Sequence, residues 1–221
     1  MLQACPLCQL KSEFSLVNQF VKDRTYFHCQ RCDFIFLPKE KHISLEEEKT
    51  RYQTHQNVPH DLAYREFLMR FAGPVLDFLK KEKKSIEDAL DYGSGAGSPL
   101  SSIFAESKIK VWEYDPFFKS FDQLLQKKYD LVMATEVIEH FREPSLDFLK
   151  MKSLLKSKGI LALMTQFHQG PVHFHSWWYP KDFTHVSFYS GKSLRYWAEQ
   201  QGMTVKYLKD PVVIFSLPAS A

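Results

Sequence analysis

The stretch Ala89-Leu-Asp-Tyr-Gly-Ser-Gly-Ala-Gly-Ser-Pro99 decides how the rest of the chain is read. Residues 86–91 read as a strand that runs into glycines 93, 95 and 97. Ser98-Pro99 then opens a helix, with Ser as N-cap and Pro at the first helical position, where its missing N–H costs nothing. Glycine lets the backbone turn tightly and approach a ligand, with the N–H groups of the helix start pointing at it. A dinucleotide site reads GxGxxG; here Ser98 stands where the third glycine belongs, so the spacing is GxGxG behind an acid, Asp91.

Working outward, residues 109–114 form a second strand that ends on Asp115. An acid about twenty residues past such a loop can accept two hydrogen bonds from a ribose diol. Loop and acid together point to a nucleoside-containing cofactor. Further strands are expected over 129–135 and 160–165, a helix over 144–157 closed by Gly159, and a helix over 193–201. Residues 204–208 and 212–217 face each other across Asp210-Pro211 as an antiparallel hairpin. Upstream, a helix starts near His60 and carries Tyr64, Phe67, Leu68 and Phe71 at helical spacing; Gly73-Pro74 breaks it before residues 75–80 resume. Strands alternating with helices predict an α/β fold with a mostly parallel sheet covered on both faces.

With these residues in place, the chain resembles the class I S-adenosylmethionine (AdoMet)-dependent methyltransferases, in the branch close to the quinone-biosynthesis enzymes. The matching stretches are Leu90-Asp-Tyr-Gly-Ser-Gly-Ala-Gly97, Glu113-Tyr-Asp-Pro116, Tyr129-Asp-Leu-Val-Met-Ala-Thr-Glu-Val-Ile-Glu-His140 and the strand opening at Lys158-Gly-Ile-Leu161. The resemblance covers roughly residues 60–217 and implies a Rossmann-like sheet with AdoMet as methyl donor. It implies Asp91, Gly93, Gly95 and Gly97 for the loop around the methionine part, Asp115 for the ribose, and Ala134-Thr135-Glu136 alongside the cofactor. One departure stands out. Between Asp115 and Tyr129 there is room for one short helix only, where the family has a helix and a further strand, so one edge strand is expected to be missing. Phe117 and Phe118 are candidates for packing on the adenine.

The cysteines Cys5-x2-Cys8 and Cys29-x2-Cys32 are about twenty residues apart. Each CxxC turn can place two thiolates on one side of a tetrahedral zinc ion. A structural zinc ribbon or knuckle over residues 1–40 is expected rather than two disulfides, since a cytoplasmic chain keeps its thiols reduced. His28 reads as a strand residue, because four cysteines already close the site. Residues 41–59 read as a charged, irregular connector. Within it, residues 51–57 resemble a polar run in small bacterial methyltransferases that could fold over the cofactor as a lid, or simply be a solvated linker. Residues 60–221 are left for the AdoMet domain.

On the acceptor side, Glu136 and His140 lie four apart at an expected helix start and would share a face. His140 is either a general base or the partner of Glu136 in a structural hydrogen bond. Residues 167–189 carry His168, His173, His175 and His185 among Trp177, Trp178 and Tyr179. Part of this run, Trp177-Trp-Tyr-Pro-Lys-Asp-Phe-Thr-His-Val-Ser-Phe-Tyr189, resembles the same small methyltransferases, with Phe183 in place of their proline. Asp182 could orient His185 by accepting its ring N–H, which makes His185 the best single candidate for a base. His168 and His173 read as packing residues. Several of these histidines could instead gather a second metal, although no paired ligand spacing stands out.

An apolar share of 44% is enough for a sizeable core, and 15% aromatic residues suit a ring-lined cavity as well as an aromatic core. The net charge of +3 neither predicts nor excludes nucleic-acid binding. No signal peptide or membrane-length apolar run is visible, so a soluble, cytoplasmic protein is expected. Three functions compete. The first is methyl transfer to O or C of a small molecule. The second is RNA base methylation with the zinc module gripping RNA, against which only Lys11, Lys22, Arg24 and Arg31 are basic in that module. The third is a non-catalytic AdoMet-binding scaffold.

Overall fold

The computed structural model describes residues 3–18, 24–53 and 62–219. The cysteine segment forms β1 (Gln3–Ala4), β2 (Lys11–Ser12), β3 (Ser15–Asn18), β4 (Thr25–Cys29) and β5 (Phe34–Phe36), followed by helices α1 (Leu45–Gln53) and α2 (Leu62–Lys81). The alternating part comprises β6 (Asp88–Tyr92), α3 (Leu100–Ala105), β7 (Lys110–Tyr114), β8 (Tyr129–Thr135), α4 (Pro144–Ser153), β9 (Leu155–Met164), α5 (Pro171–Ser176), β10 (Ser187–Phe188), α6 (Gly191–Gln200), β11 (Thr204–Lys209) and β12 (Val212–Ser216).

The main sheet has the order β11-β12-β9-β8-β6-β7. Its β7–β6–β8–β9 pairs are parallel, and the β11–β12 hairpin closes it antiparallel onto β9. β7 is the edge: among the described residues no strand lies beyond it, and residues 115–128 hold only a short bridge from Asp115 to Lys119 and a 3-10 turn, Asp122–Gln126.

Strand residues alternate between the two faces, as the period of two requires. Ala89, Leu131, Met133, Ala162 and Ile214 enter one buried cluster, under α2 and α3. Leu90, Val132, Ala134, Leu161 and Phe215 enter the other, together with Phe148 of α4 and Trp197 of α6. Cys5, Cys29 and Cys32 belong to this second cluster, so the cysteine module is part of the wall that covers the sheet. A second sheet, ordered β10-β5-β4-β3, joins residues 187–188 of the acceptor segment to the cysteine module. Tyr26, Ile35, Phe174, Trp177, Tyr179 and Phe188 pack together beneath it.

Several expectations need correction. α2 runs unbroken through Pro74, which sits inside the helix; burial of Phe71, Ala72, Val75 and Phe78 on one face outweighs the lost backbone bond. The helix expected over 144–157 stops at Ser153, and the chain is already in β9 from Leu155. Over Leu45–Gln53 the connector is helical rather than irregular. Ser44 and Glu47 form a reciprocal cap: the Ser44 N–H donates to the Glu47 carboxylate at 2.8 Å and the Glu47 N–H to the Ser44 hydroxyl at 3.2 Å, which starts α1. Similarly, α6 begins at Gly191, two residues before the expected start, because Ser190 is its N-cap. The expected helix start at His60 and residues 54–57 of the proposed lid lie outside the described residues.

Candidate active site

The parallel strands turn toward opposite neighbours at β6, which has β7 on one side and β8 on the other. In open α/β sheets the crevice at such a switch point, beyond the carboxyl ends of the strands, is where ligands bind. A cleft of about 1050 Å³ opens there. One end is walled by Gly93, Ser94, Gly95, Asp115, Phe117 and Phe118; the other by Glu136, Glu139, His140, Tyr179, Asp182 and His185, with Glu48, Arg51 and Tyr52 of α1 across the top.

At the loop end, Gly93 has φ 83° and a Cβ there would come within 2.6 Å of Val137. Gly95 has φ 64°, and a Cβ would meet nothing within 4 Å. Only glycine takes up this backbone without strain, and the free space over Gly95 is a cradle. Asp115 ties the loop to the end of β7. Its Oδ2 accepts from the Gly95 N–H at 2.9 Å, and its Oδ1 from the N–H groups of Phe117 and Phe118 at 2.8 and 3.1 Å. Oδ1 already accepts two bonds, so it is Oδ2 that keeps a lone pair for a ligand hydroxyl. Asp91 is 1% exposed, and neither of its oxygens has a hydrogen-bond partner among the described residues. Burial pushes its pKa up to about 7. A buried carboxylate left without a partner at the root of a glycine loop fits a cationic ligand such as AdoMet, which carries an ammonium and a sulfonium. Three of the residues expected around the cofactor do not line the cleft: Ala134 is fully buried in the sheet, Asp91 is buried beneath Tyr92 and Gly93 and can act on a ligand only through its charge, and Gly97 is not part of the wall. Thr135 and Glu136 do reach it.

At the other end the structure replaces the expected pairings. Residues 138–140 form a single 3-10 turn and Glu136 has φ 52°, so Glu136 and His140 do not share a helix face. Glu136 Oε2 lies 3.1 Å from the Tyr179 hydroxyl, while His140 Nδ1 lies 3.2 Å from the Thr184 carbonyl. Asp182 does not orient His185. Its Oδ1 accepts from the N–H and hydroxyl of Thr184, its Oδ2 from Arg51 at 2.8 Å, and His185 Nδ1 lies 2.8 Å from the Tyr179 carbonyl. The short spacing from 182 to 185 closes a turn around Thr184, which puts the acid on the turn's own amide. His168 is buried on the Asp33 carbonyl at 2.9 Å, and His173 is exposed beside Trp177.

Glu139 was not singled out by sequence reasoning, although it lies in the quoted Glu136-Val-Ile-Glu-His140 run. It is fully buried. Tyr179 donates to its Oε1 at 2.6 Å and Thr165 to its Oε2 at 2.9 Å. Burial, then the charge of Glu136, raises its pKa well above the usual carboxylate range; burial alone dominates in raising Glu136 to about 7. Burial, then the neighbouring His185, lowers His140 to about 3, so its imidazole is neutral at pH 7. α1 seals this end through Tyr52, whose ring lies 5.2 Å from His140 and 5.7 Å from Phe117, and through Glu48, which takes the Tyr52 hydroxyl and Arg142.

Away from the cleft, the Cys5–Cys32 and Cys8–Cys29 sulfurs are both 3.7 Å apart, and the four lie within 4.8 Å of one another. A disulfide would need about 2 Å. Zn–S bonds of about 2.3 Å in a tetrahedron put sulfurs about 3.8 Å apart, so the donor set and its spacing fit zinc.

Residues 63–208, more than half of the chain, match the family described as "Methyltransferase domain". The chain belongs to this methyltransferase family, and its fold and glycine loop place it in the AdoMet-dependent class. Among solved structures it is similar to an O-methyltransferase family protein from Burkholderia thailandensis at 12% identity and a TM-score of 0.51, covering 79% of this chain and 63% of that one. It thus spans less than two thirds of that relative. It is also similar to the 1,6-didemethyltoxoflavin-N1-methyltransferase of the same organism, solved with its acceptor and S-adenosylhomocysteine, at 10% identity and a TM-score of 0.50, covering 92% of this chain and all of that one. At such identities the likeness is one of fold. Comparison with curated proteins finds no match.

Proposed function

We propose that this chain transfers the methyl group of AdoMet to an oxygen or carbon of a small molecule, as the quinone-biosynthesis-like branch does, and that its four cysteines hold a structural zinc ion. The observation that carries the reading is the single cleft joining the glycine loop to the Glu136–His140–His185 wall. At about 1050 Å³ it matches the upper end of small-ligand sites, roughly 300–1,000 Å³, and so has room for a donor and an acceptor together. Gly93 and Gly95 cradle the methionine part, Asp115 takes the ribose diol, Phe117 and Phe118 pack on the adenine, and Thr135 and Glu136 lie alongside. Asp91 supplies negative charge for the cationic donor. His140, His185 and Asp182 belong to the acceptor end. His185 Nδ1 faces a carbonyl and must donate to it, so Nε2 is the ring nitrogen that can take an acceptor's proton. The enzyme's main work is to hold sulfonium and nucleophile in line. Functionally, residues 1–40 are the zinc module, 41–59 the cover and 60–221 the AdoMet domain.

The alternative of an RNA-gripping zinc module has less support. Arg31 lies over the Tyr196 ring at 5.7 Å and Arg24 reaches the Phe183 carbonyl at 3.4 Å, so two of its few cations serve contacts within the chain. Calorimetry with AdoMet followed by a product assay on small aromatic hydroxy compounds tests the reading and separates it from a scaffold. Absence of AdoMet binding ends it. His185→Ala is expected to keep AdoMet affinity and to lower turnover by about 10²–10⁴-fold, the usual contribution of a positioned acid–base group; unchanged turnover removes His185 from the acceptor chemistry.

A further inference from the structure

Three ligand-type side chains converge at the acceptor end of the cleft. A carboxylate oxygen of Glu139 and ring nitrogens of His140 and His185 all lie within 4.8 Å of one another. The two rings meet edge to face with centroids 4.8 Å apart. Each is oriented in the same way: His140 Nδ1 donates to the Thr184 carbonyl and His185 Nδ1 to the Tyr179 carbonyl, which fixes the tautomer that presents Nε2 as a donor of electrons. Glu139 is held by Tyr179 on one oxygen and Thr165 on the other. Metal-binding histidines are commonly fixed through the second ring nitrogen and metal-binding carboxylates through hydrogen bonds of this kind.

The cluster is also short of positive charge. Glu139 is fully buried, and the two guanidiniums in the cleft wall are engaged elsewhere: Arg51 on Asp182 and Arg142 on Glu48. From this convergence we infer that Glu139, His140 and His185 form a second metal site, for a first-row divalent ion of the zinc or iron(II) type. Two imidazoles with one carboxylate select such ions over magnesium or calcium, which prefer oxygen ligands throughout. Metal–ligand bonds of about 2.0–2.2 Å require the three donors to draw closer as the ion enters. Three protein ligands leave coordination positions on the cleft side. There an acceptor carrying a hydroxyl, or a hydroxyl beside a carbonyl, would bind through oxygen; with the ion present His185 Nε2 is a ligand and not the base, and the ion itself eases loss of the hydroxyl proton to water. This last assignment rests on the function proposed above; binding of the ion does not.

The test uses the full chain with its four-cysteine site filled by zinc, dialysed against added Zn2+ and then against metal-free buffer, with bound metal counted by atomic emission. Wild type is expected to hold two ions per chain, and His185→Ala and His140→Ala one each. One ion in the wild type, or two in both variants, overturns the inference. Should a variant fail to fold, crystals of the wild type soaked in Zn2+ decide: anomalous density inside the Glu139–His140–His185 cluster supports the site, and density at the cysteines only overturns it. AdoMet affinity measured on the same wild-type sample keeps the two readings apart. A second ion missing while AdoMet still binds removes the metal site alone, whereas failure to bind AdoMet removes the proposed function.

Discussion

Asp91 and Asp115 have the same charge and sit at neighbouring strand ends, yet their surroundings give them different tasks. Asp115 is surrounded by amide donors from Gly95, Phe117 and Phe118, so it shapes the loop as well as facing the cleft. Asp115→Ala is expected to weaken AdoMet binding by about 10–100-fold, the worth of charge-assisted hydrogen bonds of roughly 1.5–3 kcal/mol, with the fold retained; unchanged affinity in calorimetry rejects the ribose assignment. Asp91 has no such donors. Its pKa rises from 3.8 to about 7 through burial, with the neighbouring Glu113 and Asp115 raising it further and Lys119 and Ser98 opposing. The sign follows from linkage: a carboxyl with a raised folded pKa stabilises the fold fully below about pH 4, and that contribution is lost as pH rises through 7. The ligand-free protein is therefore expected to lose up to roughly 4 kcal/mol from this group between those limits. Asp91→Asn should flatten the fall in Tm between pH 5 and 8.5; an identical pH profile in the variant refutes the assignment. Both acids were legible from the sequence because the glycine spacing marks their positions. Glu139 was not, since burial depends on what covers it.

Among the elements, α1 ties the cover to the site. Its sequence of glutamates and a lysine is polar and reads as a solvated connector, and only the Ser44–Glu47 cap marks it as a helix. Once wound, the helix sets Glu48, Arg51 and Tyr52 on one face, three and four residues apart, and these meet Arg142, Asp182 and His140. Ser44→Ala is expected to cost about 1 kcal/mol of stability and to raise the acceptor KM more than it alters AdoMet affinity. Equal effects on both ligands would show that α1 does not belong to the acceptor end. Most strands of the main sheet were read within one or two residues, but β9 begins at Leu155, five residues before the expected start, and carries Gly159 inside it. Helix ends were read less well, because the caps at Ser44 and Ser190 turn on backbone geometry that a serine in the sequence does not announce.

For the whole molecule, the cysteine module is joined to the acceptor segment. β5 pairs with β10, Tyr26 lies 5.0 Å from Phe174, and Gln9 donates to Ser145 at 2.9 Å, while Cys5, Cys29 and Cys32 are fully buried in the cluster under α4 and α6. Removing zinc should therefore not release an independent appendage. Chelation, or Cys29→Ser, is expected to lower the single unfolding transition of the entire chain in calorimetry; a separate small transition with the main one unmoved would contradict this coupling. Among the described residues no helix is long and apolar enough to cross a membrane.

By itself, the sequence determined what depends on local spacing: a glycine loop behind a strand, an acid at the next strand end, two CxxC turns, and the alternation that builds a parallel sheet. These are properties of neighbours along the chain, where backbone sterics and side-chain period leave few alternatives. The tertiary structure decided which distant groups meet. It moved Asp182 from His185 to Arg51 and Thr184, brought Glu139 against Tyr179 and Thr165, and placed the cysteine module on the sheet. Apart from Thr184, such partners come from segments 26 to 131 residues away that only packing brings together, and buried charges take whichever donors that packing leaves beside them.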